Sequence, residues 1–191
     1  MAGARTRPIS RARRVGVTAL PRIPAPRGSA RPGWSGWATI RPIVADRLPD
    51  PTDLLPHRPP FLFVDEVLAL APGESARTRW LVDPEAAFFA GHFPGNPILP
   101  GVIIIEALAQ TGALAALAEP DSEGKLALFA GIERARFRRV VRPGEELVLE
   151  TRLTRRRGPL GEGEGTASVG GETACEATLR FALVDAASAR P

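Results

Sequence analysis

The sequence predicts an α+β domain in which a curved antiparallel sheet wraps one long apolar helix. Three observations lead there. Residues 102–118 read as a helix that is apolar nearly all round, with one carboxylate, Glu106, and one amide, Gln110. Such a helix must be covered on every side, and a curved sheet is the natural cover. Two strand-like segments precede it and at least four follow, with no internal repeat.

In chain order, residues 1–45 are rich in Arg, Pro, Gly and Ala, lack periodicity and are expected to form a disordered tail. Three readings compete for it: a solvated tail or a misassigned start, an organelle transit peptide, and a polyanion-binding arm. Its prolines count against the second, because they spoil an amphipathic helix. The domain is expected over 46–187. Leu55 to Pro60 is turn or extended chain because of its prolines. Phe61 to Leu70 predicts a strand, Pro72-Gly73 a turn, and Ser75 to Val82 a second strand. Pro84 to Phe89 suits one helical turn. After the helix, Glu119 to Lys125 is a linker and Leu126 to Ile132 an apolar strand. From Arg134 to Arg138 arginines alternate with Ala135 and Phe137. Val141 to Gly144 turns the chain. Leu147, Leu149, Thr151 and Leu153 share one strand face, Gly170-Gly171 makes a hairpin turn, and Cys175 to Leu183 alternates once more.

Composition narrows the chemistry. The formal charge of +4 hides an asymmetry: residues 1–45 hold nine Arg and no acid, leaving 16 basic against 21 acidic residues, or −5, beyond them. A basic tail on an acidic body is poor support for a nucleic-acid-binding domain. One cysteine, Cys175, excludes intramolecular disulfides and cysteine-based metal sites, and two histidines, His57 and His92, argue against a His-rich one. No secretory signal is visible, and Glu106 and Gln110 near the middle of the apolar helix point to a buried element, not a membrane span. A cytoplasmic protein is the expectation.

The loop from Gly91 to Gly101 carries His92 and runs straight into the helix. Pro100-Gly101 is a suitable helix start, where the N–H groups of Gly101, Val102 and Ile103 are expected free to meet a carbonyl or an anion. Glu106 and Gln110 lie one turn apart on one face. Glu106, expected among Val102, Ile103, Ile105 and Leu108, should hold a proton more readily than a solvated carboxyl. An imidazole, a carboxyl in apolar surroundings and oxyanion-type donors are the parts of an acid–base enzyme that needs no cofactor and no metal. Each part has a plainer reading. A histidine in a Gly/Pro loop is usually a surface group. A lone glutamate in an apolar helix could pair with an arginine. His57, between Pro56 and Arg58, reads as a residue orienting a turn, and Gln110 as a support for Glu106.

Taken together, these blocks are familiar. Leu55-Pro56-His57-Arg58, Pro60-Phe61-Leu62, Val64-Asp65, Phe89 to Pro94, Pro100-Gly101-Val102 and Glu106-Ala107-Leu108-Ala109-Gln110 form the first part. Gly131-Ile132, Ala135 to Arg139, Val141 and Pro143-Gly144 form the second. With them the chain resembles the hot-dog-fold 3-hydroxyacyl-(acyl carrier protein) dehydratases of the FabZ type, over roughly residues 47–185. The resemblance implies that His92 is the catalytic histidine and Glu106 the catalytic acid. It implies loss of water from a (3R)-3-hydroxyacyl thioester on acyl carrier protein. It also implies a homodimer, often a trimer of dimers, with His92 of one subunit facing Glu106 of the other. Pro59 and the Arg-rich tail depart from the family pattern. A hot-dog thioesterase and a non-catalytic acyl-binding module are the alternatives.

Overall fold

The computed structural model describes residues 48–188. The stretch 1–45, expected to be a disordered tail, lies outside the described residues.

The chain begins with a single helical turn, α1 (Pro51–Leu54), in a region where no element was expected. Pro51 fits there because the first helical position needs no N–H donor. Asp50 and Asp53 cap the turn reciprocally. Strands β1 (Glu66–Ala71) and β2 (Ser75–Leu81) form a hairpin, followed by a short 3-10 turn at Ala87–Ala90. The long helix α2 (Gly101–Leu117) comes next, then a second 3-10 turn at Pro120–Ser122. Strands β3 (Lys125–Phe137), β4 (Glu146–Arg157), β5 (Leu160–Val169) and β6 (Glu172–Asp185) complete one six-stranded sheet, ordered β1-β2-β4-β5-β6-β3. Every neighbouring pair in it is antiparallel.

The expected strand total holds, but its composition changes. The two segments read as Leu126–Ile132 and Arg134–Arg138 are one strand, β3, whose pairing with β6 shifts register between Phe129 and Gly131 and between Ile132 and Arg134. Those bulges interrupt the alternation and make one strand look like two. The sixth strand is β5, for which no segment was singled out. The first strand is also shorter than expected. Around Phe61 and Phe63 the backbone is served by a side chain: Phe63 N–H donates to Gln110 Oε1 (2.8 Å) and Gln110 Nε2 donates to Phe61 O (3.2 Å).

α2 lies against the sheet, with its last three turns buried and Leu108 and Leu114 fully covered. Each such leucine contributes roughly 1.5–3 kcal/mol relative to exposure. The first turn is different: Val102 is 69% exposed. Buried threonines fasten the helix to the sheet. Thr151 Oγ1 donates to Leu108 O (2.8 Å), and Thr111 Oγ1 donates to Ala107 O (2.9 Å) while meeting Thr78 Oγ1 at 2.8 Å. β5 can run this close to the helix because Gly165 has no side chain; a Cβ there would lie 3.2 Å from Leu108 Cδ2.

Candidate active site

His92 takes its place from the main chain around it. The 3-10 turn ends as His92 N–H donates to Phe88 O (3.0 Å). The loop then doubles back, with Ile98 N–H donating to His92 O (2.9 Å) and Phe93 and Asn96 exchanging both backbone bonds. Gly95 takes the positive φ (75°) that this reversal needs. The imidazole Nδ1 lies 2.7 Å from Ile98 O. A carbonyl only accepts, so Nδ1 carries the proton and Nε2 is left as the basic nitrogen. The ring stacks on Phe93 at 4.1 Å and is part-buried.

A second strip of chain holds this loop. Leu99 N–H donates to Val141 O (2.8 Å), and Arg142 Nη1 donates to Asn96 Oδ1 (3.2 Å). The strip is set in turn by Glu145, which accepts from Arg142 N–H (2.8 Å) and from both Arg139 Nη atoms (2.9 and 2.6 Å). The Arg139 hydrogen bonds hold the Glu145 carboxyl down at about 2, below the usual carboxylate range.

The helix start follows directly. Pro100 is the N-cap residue, and Gly101 is packed so closely on Phe137 that a Cβ would lie 2.6 Å from its ring. Among the described residues, no backbone carbonyl outside the helix accepts from Gly101 or Val102 N–H. Ile103 corrects the expectation of three free donors: its N–H donates to Pro100 O (2.9 Å), so two remain.

Glu106 lies one turn further on, its side chain 17% exposed. Gln110 Nε2 donates to Glu106 Oε1 (3.0 Å), and the same oxygen lies 3.7 Å from His57 Nε2. Gln110 itself is 1% exposed. Glu106, Gln110 and His57 line a mainly apolar cavity of about 210 Å³ between α2 and the sheet, walled further by Phe129, Leu179 and Phe181. Val102, expected to shield Glu106, instead stands open at the helix start.

A family model described as a FabA-like domain matches residues 55–178, which include His57, His92, Gly101, Val102, Glu106 and Gln110. The 3-hydroxyacyl-[acyl-carrier-protein] dehydratase FabZ of Chloroflexus aggregans is 57% identical over 132 residues, covering 69% of this chain and 92% of that protein. The protein of the same name from Symbiobacterium thermophilum is 52% identical over 139 residues, covering 73% and 98%. This chain belongs to the FabZ dehydratase family. Its hot-dog fold is shared with a chain of the dehydratase heterocomplex ApeI:P from Xenorhabdus doucetiae (TM-score 0.62, 18% identity, 72% of this chain and 93% of that one). It is shared as well with protein PH1136 from Pyrococcus horikoshii (TM-score 0.56, 14% identity, 76% and 96%).

Within one copy of this FabZ family member, His92 and Glu106 are held by different neighbours. His92 is absent from the lining of the Glu106 cavity, and among the described residues no hydrogen bond joins it to Glu106. His57, read from sequence as a turn residue, is the one the structure adds beside Glu106. Periodicity carried no signal for it. Its place in the Leu55-Pro56-His57-Arg58 block was the only hint. β3 lies at the sheet edge and exposes Leu128, Phe129, Ile132 and Phe137 by 45–52%. A long apolar free edge of this kind is a template for pairing with another chain.

Proposed function

We propose that this chain dehydrates a (3R)-3-hydroxyacyl thioester carried on acyl carrier protein to the trans-2-enoyl thioester, the water-removing step of fatty acid biosynthesis. The observation that carries the reading is Glu106, a carboxyl fixed on the wall of an apolar cavity sized for an acyl chain, in a chain from the FabZ family. His92 Nε2 takes the proton from C2, and that electron pair becomes the C2–C3 double bond. The C3–O bond breaks, and its oxygen leaves as water with the proton delivered by Glu106. Enolate charge on the thioester oxygen is met by Gly101 and Val102 N–H at the positive end of α2. Exchange of protons with solvent then resets the imidazolium and the carboxylate.

The chemistry needs two copies in this reading. A homodimer that covers the β3 edge sets His92 of one subunit against Glu106 of the other, and such dimers can assemble further in threes. The dimer is supported by the apolar edge and by the absence of His92 from the cavity that Glu106 lines. No described helix is long and apolar enough to cross a membrane, and a cytoplasmic setting is part of the proposal. The test is incubation with 3-hydroxyacyl and trans-2-enoyl carrier-protein thioesters. Reversible interconversion with the thioester intact is expected. Release of free carrier thiol without enoyl product would make it a thioesterase instead, and binding without turnover would make it an acyl-binding module.

A further inference from the structure

We infer that His57 is a positioning residue for Glu106, donating from Nε2 to the carboxylate that forms when water departs. The inference rests on Glu106 being the acid. His57 shares the cavity wall with Glu106 and Gln110, and its Nε2 lies 3.7 Å from Glu106 Oε1. Its other nitrogen, Nδ1, is buried and meets no hydrogen-bond partner among the described residues. A neutral imidazole has one proton to place. On Nδ1 it would be an orphaned buried donor, the rarest kind of unpaired polar group; on Nε2 it faces a carboxyl oxygen.

The backbone that carries the ring is held by its neighbour. Arg58 Nη1 donates to Leu55 O (2.8 Å) and to His57 O (2.7 Å), and its Nη2 donates to Thr52 O (3.3 Å). Among the described residues the one other charged side chain lining the cavity, Arg180, is engaged by Glu133 and Glu162. Gln110 and His57 are therefore the two donors that converge on Oε1, leaving Oε2 to face the C3 hydroxyl. At 3.7 Å the His57 contact is too long for a hydrogen bond to the resting acid. It strengthens as negative charge develops, so it favours the transition state over bound substrate.

The test compares wild type with His57→Ala, His57→Gln and His57→Asn in the carrier-thioester assay, with melting curves alongside. The amide nitrogen of glutamine reaches the place of Nε2; that of asparagine reaches only the place of Nδ1. His57→Ala should lower kcat by roughly 10–100-fold with KM nearly unchanged. His57→Gln should recover most of the loss, and His57→Asn little, at similar melting temperatures. Wild-type kcat in His57→Ala, a loss confined to KM, or equal rescue by both amides would overturn the inference. If His57→Ala fails to fold, the glutamine–asparagine comparison decides alone. A wild-type protein inert towards both thioesters overturns the dehydratase reading, and this inference with it, which separates the two failures.

Discussion

His92 takes its geometry from main-chain atoms: the Ile98 carbonyl fixes its ring, and backbone bonds to Phe88, Ile98 and Val141 fix the loop. Glu106 takes its geometry from a side chain, Gln110, which donates to it at 3.0 Å with His57 Nε2 nearby at 3.7 Å, on a helix that the core already locks. A backbone-held group tolerates changes in neighbouring side chains, because any residue supplies a carbonyl. A side-chain-held group depends on particular neighbours. The two halves of the proposed site should therefore respond to mutation in opposite ways, and neither half braces the other within one chain.

The largest effects come from removing the groups themselves. His92→Ala and Glu106→Gln should each lower dehydration by roughly 10²–10⁴-fold, since each deletes a proton-transfer group and little packing. Near-normal turnover in either would remove that residue from the mechanism. Mixing the two dead variants after reversible dissociation tests whether the halves meet between chains. With random pairing about half the dimers are mixed, and each has one site with both defects and one with neither. About a quarter of wild-type activity should return. If both groups of a site came from one chain, every site would stay defective and nothing would return.

The same contrast explains what could be read from the sequence. α2 was legible because its apolar character is intrinsic to residues 102–118, and β6 because Cys175 to Leu183 alternates cleanly. β5 was not, because its inward positions include Gly161, Gly163 and Gly165, which leave no apolar face to detect. Glycine leaves room there for the Phe181 ring, which a Cβ on Gly161 would meet. His92 and Glu106 could be picked out as chemistry on a loop and a helix. That His57 stands beside Glu106 depends on contact between segments about fifty residues apart, which no local pattern encodes. Likewise, Phe61–Phe63 looked like strand because its residues are strand formers, yet Gln110 occupies the Phe61 carbonyl and the Phe63 N–H that a neighbouring strand would have used.

Intermediate effects come from the supports, and here the halves should part. Gln110→Leu keeps the volume but strands the buried Phe63 N–H, costing roughly 1–3 kcal/mol in unfolding experiments. It also removes a donor from Glu106 Oε1, and kcat should fall by about tenfold. In the His92 half, Ile98→Val retains the carbonyl that holds Nδ1. Its activity should stay within about twofold of wild type, with a stability loss of about 0.5–1.5 kcal/mol. A kcat loss in Ile98→Val equal to that in Gln110→Leu would erase the distinction between the two kinds of scaffold.

The smallest effect on catalysis should come from Glu145, although it visibly braces the strip beside the His92 loop. Its carboxyl sits at about 2 when folded, chiefly through the Arg139 hydrogen bonds, against an ordinary value of 4.5. A depressed carboxyl contributes stability that is fully present above the unfolded value. That contribution fades as pH falls from about 4.5 through about 2. Two units or so correspond to about 3 kcal/mol, but the side chain is 27% exposed, and solvent screening reduces this to about 1 kcal/mol. Glu145→Gln should therefore unfold at lower denaturant concentration than wild type at pH 7. The gap should narrow below pH 4.5 and close near pH 2. Meanwhile kcat at pH 7 should fall by no more than about threefold, because the Ile98 and Leu99 backbone bonds do not involve the carboxylate. A kcat loss comparable to that of Gln110→Leu would show that His92, too, depends on a side-chain brace. A gap that persisted unchanged to pH 2 would show that Glu145 stabilises by packing instead of charge.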